Sequence, residues 1–181
     1  MTIPEETITR VINQMLTSTP GDALHQICLV AAPRTAIGPL GLADPEQLQT
    51  TVYAIVVDDS VNPVEFITDT IGRAALACHD AGQVALFAAL SQEVWMVKGM
   101  DELGTRLHRE RRLHEHPNAQ EVTMVYAACR DGRRWRAKRF LTGPEVEPTT
   151  DVRLLLGPPR PHEAFDAPWG RPLRALVGQR D

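Results

Sequence analysis

Residues 121–141 read EVTMVYAACRDGRRWRAKRFL, two β-rich runs joined by a short polar turn. In the first run Val122, Met124 and Tyr126 alternate with their neighbours, which is the two-residue period of a β-strand. The dipeptide Asp131-Gly132 separates the runs, and Asp-Gly between β-rich runs is the strongest short-range signal of a hairpin. The stretch therefore predicts two antiparallel strands, at 121–129 and 134–141.

Upstream of this hairpin the sequence predicts a helix over residues 63–80. Asn62 is a favourable N-cap, Pro63 suits the first helical position, and Glu65 completes a capping box. Gly82 is expected to end the helix, because glycine readily adopts the left-handed backbone conformation that terminates many helices. The predicted inward face carries Phe66, Ile67, Ile71, Ala74, Ala75 and Cys78.

Two further strands are predicted on either side of that helix. Residues 50–57 are β-branched and aromatic, which favours a strand buried on both faces. Residues 84–98 read as one long strand or as two short ones. Residues 22–32 fit either a short buried helix or a strand, and periodicity does not decide at that length.

The N-terminal residues predict a helix of their own. Thr2 is placed to cap it, Pro4 falls in the first turn, and Glu5 completes a T-x-x-E box. An apolar stripe follows at three- and four-residue spacing, with Ile8, Val11, Ile12, Met15 and Leu16. This helix is expected to end near residues 19–21.

Together these elements predict a single α+β domain over residues 1–142, with a mostly antiparallel sheet and the helix at 63–80 packed on one face. Residues 143–181 hold 7 of the 14 prolines and are expected to form an extended arm that packs on the body or on a partner. Within the arm only residues 151–156 could add a strand.

Composition fixes the broad class of the protein. The 181 residues are 43% hydrophobic and 23% charged, which excludes a disordered chain and a disulfide-stapled miniprotein. No apolar run reaches membrane-helix length, and MTIPEETITR does not read as a signal peptide. Cys28, Cys78 and Cys129 form no CxxC pair and are expected to be buried thiols. We expect a cytoplasmic protein without a cofactor or a membrane partner.

Charge is distributed unevenly along the chain. Residues 1–105 hold 4 bases and 13 acids, whereas residues 106–139 hold 10 bases and 4 acids. Several of these bases lie in the predicted hairpin. We call the following residues the basic hairpin: Arg130, Arg133, Arg134, Trp135, Arg136, Lys138 and Arg139. We expect a non-catalytic accessory protein that self-associates or meets a protein partner, with the basic hairpin facing an acidic surface. The alternative is binding of a nucleic acid or another polyanion through the same ribbon.

A second alternative rests on the histidines of LHEHPN, residues 113–118. His114 and His116 alternate around Glu115, with His108 nearby, and two imidazoles on one side of an extended segment can hold a divalent metal. His-x-His-Pro also resembles the opening of the JAMM metallopeptidase signature. The Ser-x-x-Asp that continues that signature is missing here, so a metal-dependent hydrolase ranks below the two binding hypotheses.

One longer resemblance covers residues 84–135. ALFAALSQEVWMVKG, a polar interval and HEHPNAQEVTMVYAACRDGRRW together resemble a pattern in uncharacterised bacterial and phage-borne proteins. The resemblance implies a shared fold but supplies no reaction. It also implies that six residues hold strand and turn together, namely Glu93, Trp95, Met96, His116, Pro117 and Glu121.

Overall fold

The structure, a computed structural model, describes residues 1–18, 25–55, 62–141, 150–155 and 170–179. Within these ranges the chain forms four α-helices and six β-strands. In chain order they are α1 Glu5–Thr17, β1 His25–Pro33, β2 Gln49–Ile55, α2 Pro63–Asp80, β3 Gln83–Val97, α3 Glu102–Arg109, β4 Ala119–Cys129, β5 Arg134–Phe140, β6 Thr150–Leu155 and α4 Arg171–Leu176.

The strands form one antiparallel sheet in the order β2-β1-β3-β4-β5-β6. One face, the α1 face, packs Phe87 and Trp135 against the apolar stripe of α1. The opposite face, the α2 face, packs Leu90 and Tyr126 against α2 and α4. The predicted α+β fold with an antiparallel sheet is therefore confirmed, with a helical layer on each side.

The elements with the clearest local signals form as predicted. β4 and β5 pair through a turn in which Gly132 has a φ of 96°. The Asn62 side chain accepts a hydrogen bond from the Val64 N–H at 3.1 Å, and Gly82 follows α2 with a φ of 67°. Residues 83–97 form one long strand rather than two.

Expectations for the two neighbouring strands β1 and β2 require correction. The prediction that residues 50–57 are buried on both faces is wrong, because β2 is an outer strand on which Val52 is 50% exposed. Residues 56–57 lie outside the described ranges. Of residues 22–32, whose periodicity fits either a helix or a strand, residues 25–32 belong to β1 and residues 22–24 lie outside the described ranges. Every residue from 26 to 32 is buried.

The predicted start of α1 is also wrong in detail. Pro4, not Thr2, occupies the N-cap position, and no side chain caps the helix. Thr2 instead forms an isolated parallel bridge with Leu42. On α2 the predicted inward residue Phe66 is exposed, whereas Ile67 and Ile71 are buried as expected. The expected end of the first helix, residues 19–21, lies outside the described residues.

The C-terminal segment adds more to the domain than the sequence indicated. β6 pairs along the outer side of β5, so β5 has a neighbour on each side. α4 was not predicted, and it places Leu173 and Leu176 in the core beside α2. Among the helices seen in the described ranges, none is long and apolar enough to cross a membrane.

Candidate functional site

The basic hairpin lies within the sheet rather than along its margin. Every residue of β5 is buried or half-buried, and Arg134 is only 2% exposed. The basic hairpin is therefore less exposed than its expected contact with an acidic surface implies. Alternation of residue types in the sequence identifies which side chains of a strand share a face of the sheet. It does not reveal that β6 pairs along the edge of β5 that faces away from β4.

Two arginines of the basic hairpin hold α1 against the sheet. Arg133 donates from Nη2 to the Ile3 carbonyl at 2.8 Å, just before the helix begins. Arg139 donates from Nη1 to the Leu16 carbonyl at 3.3 Å, in its last turn. The 13 steps from residue 3 to residue 16 at helical rise and the 6 steps from residue 133 to residue 139 at strand rise each span about 20 Å. α1 therefore runs alongside β5 with a guanidinium at each end.

Arg133 is further fixed by the turn that precedes it. Its Nε and Nη2 donate to Asp131 Oδ2 at 2.9 and 2.7 Å, and its guanidinium lies 5.3 Å from the ring centroid of Trp135. The hydrogen bonds to Asp131 raise the pKa of Arg133. Arg133 therefore links the β4–β5 turn to the segment that precedes α1, and this structural role accounts for the position of its side chain.

The remaining cations of the hairpin also contact their own chain. Arg130 donates from Nη1 to the Val177 carbonyl at 3.2 Å, and Lys138 lies 5.1 Å from the ring centroid of Phe140. Arg136 is paired across the strands with Tyr126, whose pKa is raised by burial. Polyanion binding through this ribbon stays a prediction, with little exposed cationic surface to support it.

The histidine segment is organised around His116, which is buried. Its Nε2 lies 3.2 Å from Asp101 Oδ1, and its Nδ1 accepts a hydrogen bond from the Asn118 N–H at 3.1 Å. Since Nδ1 acts as an acceptor, the proton of the neutral ring resides on Nε2 and points to the carboxylate. Asp101 also caps α3 through the Gly104 N–H, and that bond, followed by the His116 contact, lowers its pKa.

The other two histidines do not converge with His116 on a metal site. His114 is exposed, packs at 6.2 Å from the Trp95 ring and lies 3.8 Å from Glu115. His108 is exposed on α3. The described residues contain no group of three or more His, Cys, Asp or Glu side chains that could hold a metal ion. The metal-dependent hydrolase therefore has no ligand set in this part of the chain.

The residues of the longer resemblance lie where β3 and β4 pair. Trp95 is opposite Glu121, and Met96 is opposite Gln120. Burial, followed by the charge of Glu121, raises the pKa of Glu93. Pro117 is exposed in the turn that follows His116. Two carboxylates thus share one sheet face with the hydroxyl residues Ser91 and Thr123, and no metal ligand set accompanies them among the described residues.

The most distinctive surface was missed by sequence reasoning. β2 reads QTTVYAI, forms an outer strand of the sheet, and contains no charged residue and no proline. Its exposed residues are Gln49, Thr50, Thr51, Val52 and Ala54. The polar start of this run, Gln-Thr-Thr, is the signal that could have indicated an outer strand.

No family model, curated protein or solved structure matches the chain. The resemblance of residues 84–135 to uncharacterised bacterial and phage-borne proteins therefore stays a prediction.

Proposed function

We propose that the protein is a non-catalytic interaction protein that self-associates through β2. The observation that carries this proposal is the outer position of an uncharged strand in the sheet. An outer strand presents unpaired backbone N–H and C=O groups, and monomeric proteins usually protect it with charges, proline or a bulge. β2 has none of these, and its pairing with β1 shows no register shift.

A second copy of β2 is a suitable partner for this edge. An antiparallel pairing centred on Val52 places residue 49 opposite 55, residue 50 opposite 54, and residue 51 opposite 53. No like charges meet in that register, and Thr51 meets Tyr53 across the strands. Such cross-strand pairs each contribute about 0.2–1 kcal/mol. The two sheets would then continue as one antiparallel sheet.

The proposed contact lies at β2, whereas the sequence led us to expect it at the basic hairpin. The basic hairpin is at the opposite end of the sheet from β2, and its arginines contact the ends of α1, Asp131 and the residue that follows α4. Self-association through β2 needs no acidic surface opposite those arginines. Contact through β2 and contact through the basic hairpin both describe an interaction protein. The two hypotheses differ in which substitutions should abolish self-association.

The test compares Val52→Lys with Leu76→Lys by analytical ultracentrifugation over a range of concentrations. In the proposed register the two lysines introduced at position 52 would meet directly, and like charges opposite each other destabilise a strand pair. Leu76 is 62% exposed on α2 and provides a matched control. We expect wild type and Leu76→Lys at about twice 20.0 kDa and Val52→Lys at the monomer mass.

Circular dichroism of each variant checks that the fold is retained. A wild-type protein that stays monomeric at all concentrations would exclude the proposal. So would a folded Val52→Lys variant that sediments like the wild type.

A further inference from the structure

A cleft of about 500 Å³ opens where the C-terminal end of α2 meets the start of β3. Met1, the first turn after β1, the β4–β5 turn and α4 form the rest of its walls. Its polar lining comprises Arg34, His79, Gln83 and Arg130, and its apolar lining includes Cys78 and Leu176. All the lining residues belong to the described part of the chain, and none of them is Asp or Glu.

Arg130 is held in place at one side of this cleft. Its Nη1 donates to the Val177 carbonyl at 3.2 Å, and its guanidinium lies directly over Gly178. A Cβ at Gly178 would come within 2.8 Å of Arg130 Nη1, and the φ of 73° at Gly178 also favours glycine. The guanidinium is therefore seated in a space that only glycine leaves open, and it retains further N–H donors.

Arg34 supplies a second guanidinium from another segment. It is exposed in the short turn after β1, and its side chain forms no hydrogen bond or ion pair with the described residues. Two acidic residues adjoin the lining in sequence, and of these Asp131 pairs outside the cleft whereas Asp80 contacts the lining residue His79. Asp131 pairs with Arg133 at 2.7 Å, and Asp80 lies 3.5 Å from His79 Nδ1.

The charge of the cleft contrasts with that of the chain around it. The protein has a net charge of −4, and residues 1–105 hold 13 acids against 4 bases. Two guanidinium groups without a carboxylate partner among the described residues favour carboxylate or phosphate, which they bind through paired N–H donors. The apolar wall adds a contact for hydrocarbon. Burial raises the pKa of Cys78, so its thiol stays neutral and belongs to that wall.

We propose that this cleft binds a small organic anion, with its carboxylate or phosphate group between Arg34 and Arg130 and its apolar body against Cys78 and Leu176. The volume is within the range of small-molecule sites, about 300–1,000 Å³. The inference is independent of β2, because the cleft and that edge share no lining residue.

Isothermal titration calorimetry with four probes tests the proposal. The probes are octanoate, octyl phosphate, inorganic phosphate and octan-1-ol. We expect octanoate or octyl phosphate to bind, and octan-1-ol and inorganic phosphate to bind at least about tenfold more weakly, since each lacks one of the two recognition elements. The preferred head group identifies whether carboxylate or phosphate is the better ligand.

Arg34→Gln and Arg73→Gln form the matched pair of variants. Arg34 lines the cleft, whereas Arg73 is exposed on α2 and does not line it. We expect about a tenfold loss of affinity in Arg34→Gln and none in Arg73→Gln, with both variants folded because neither side chain is hydrogen-bonded to the described residues. Absence of binding by both octyl anions would overturn the proposal, as would equal binding of octan-1-ol or equal losses in the two variants.

Discussion

Replacing Arg133 with alanine tests whether the basic hairpin stabilises the fold. The substitution removes two charge-assisted hydrogen bonds to Asp131, one bond to the Ile3 carbonyl and the contact with Trp135. Hydrogen bonds to charged groups contribute about 1.5–3 kcal/mol, and a cation–π contact contributes about 0.5–1 kcal/mol. The Asp131 side chain is only 12% exposed and would lose its cation. We expect a loss of about 3 kcal/mol in the free energy of unfolding.

Arg136→Ala is the control within the basic hairpin, since the Arg136 side chain makes no hydrogen bond or ion pair with the described residues. We expect a loss below about 1 kcal/mol there. Urea unfolding followed by circular dichroism measures both values. A double-mutant cycle with Asp131→Ala should give a coupling energy of about 1–3 kcal/mol. Equal losses in Arg133→Ala and Arg136→Ala, within about 0.5 kcal/mol, would refute the structural role of Arg133.

Two further substitutions probe the sheet and the C-terminal helix. The raised pKa of Glu93 means that the folded state favours the protonated carboxyl, so its charge costs stability above that pKa. Glu93→Gln should therefore raise the free energy of unfolding at pH 7 by less than about 1 kcal/mol and give no gain below about pH 4. A gain that is independent of pH would contradict this reasoning. Leu173 is fully buried, so Leu173→Ala should cost about 2–5 kcal/mol, whereas Leu76→Ala should cost less than about 0.5 kcal/mol. Equal unfolding midpoints for those two variants would show that α4 does not complete the core.

Local signals account for what the sequence predicts correctly. Asp131-Gly132 sets the hairpin, and Asn62 with Gly82 sets the limits of α2, because each acts on residues only a few positions away. The apolar stripe of α1 likewise predicts which of its side chains are buried. Its starting residue was missed because Thr2 pairs with Leu42, forty residues away.

Non-local pairing accounts for what the sequence does not predict. The polar start of β2 indicates an outer strand, but which strands lie beside it depends on pairing between distant segments. The exposure of the hairpin arginines depends on β6 and α1, and Arg139 meets the Leu16 carbonyl from 123 positions further along the chain. The cleft brings Arg34, Cys78, Arg130 and Leu176 together from four separate segments. No motif search would join these residues.

The guanidinium contacts at both ends of α1 restrict how that helix can sit on the sheet. A helix held only by an apolar stripe can shift by one turn, about 5.4 Å, and recover similar contacts with the layer beneath it. Here the same shift would withdraw the Ile3 and Leu16 carbonyls from Arg133 and Arg139 simultaneously. The basic hairpin thus fixes the position of α1 along its own axis. Apolar packing alone would allow several such positions.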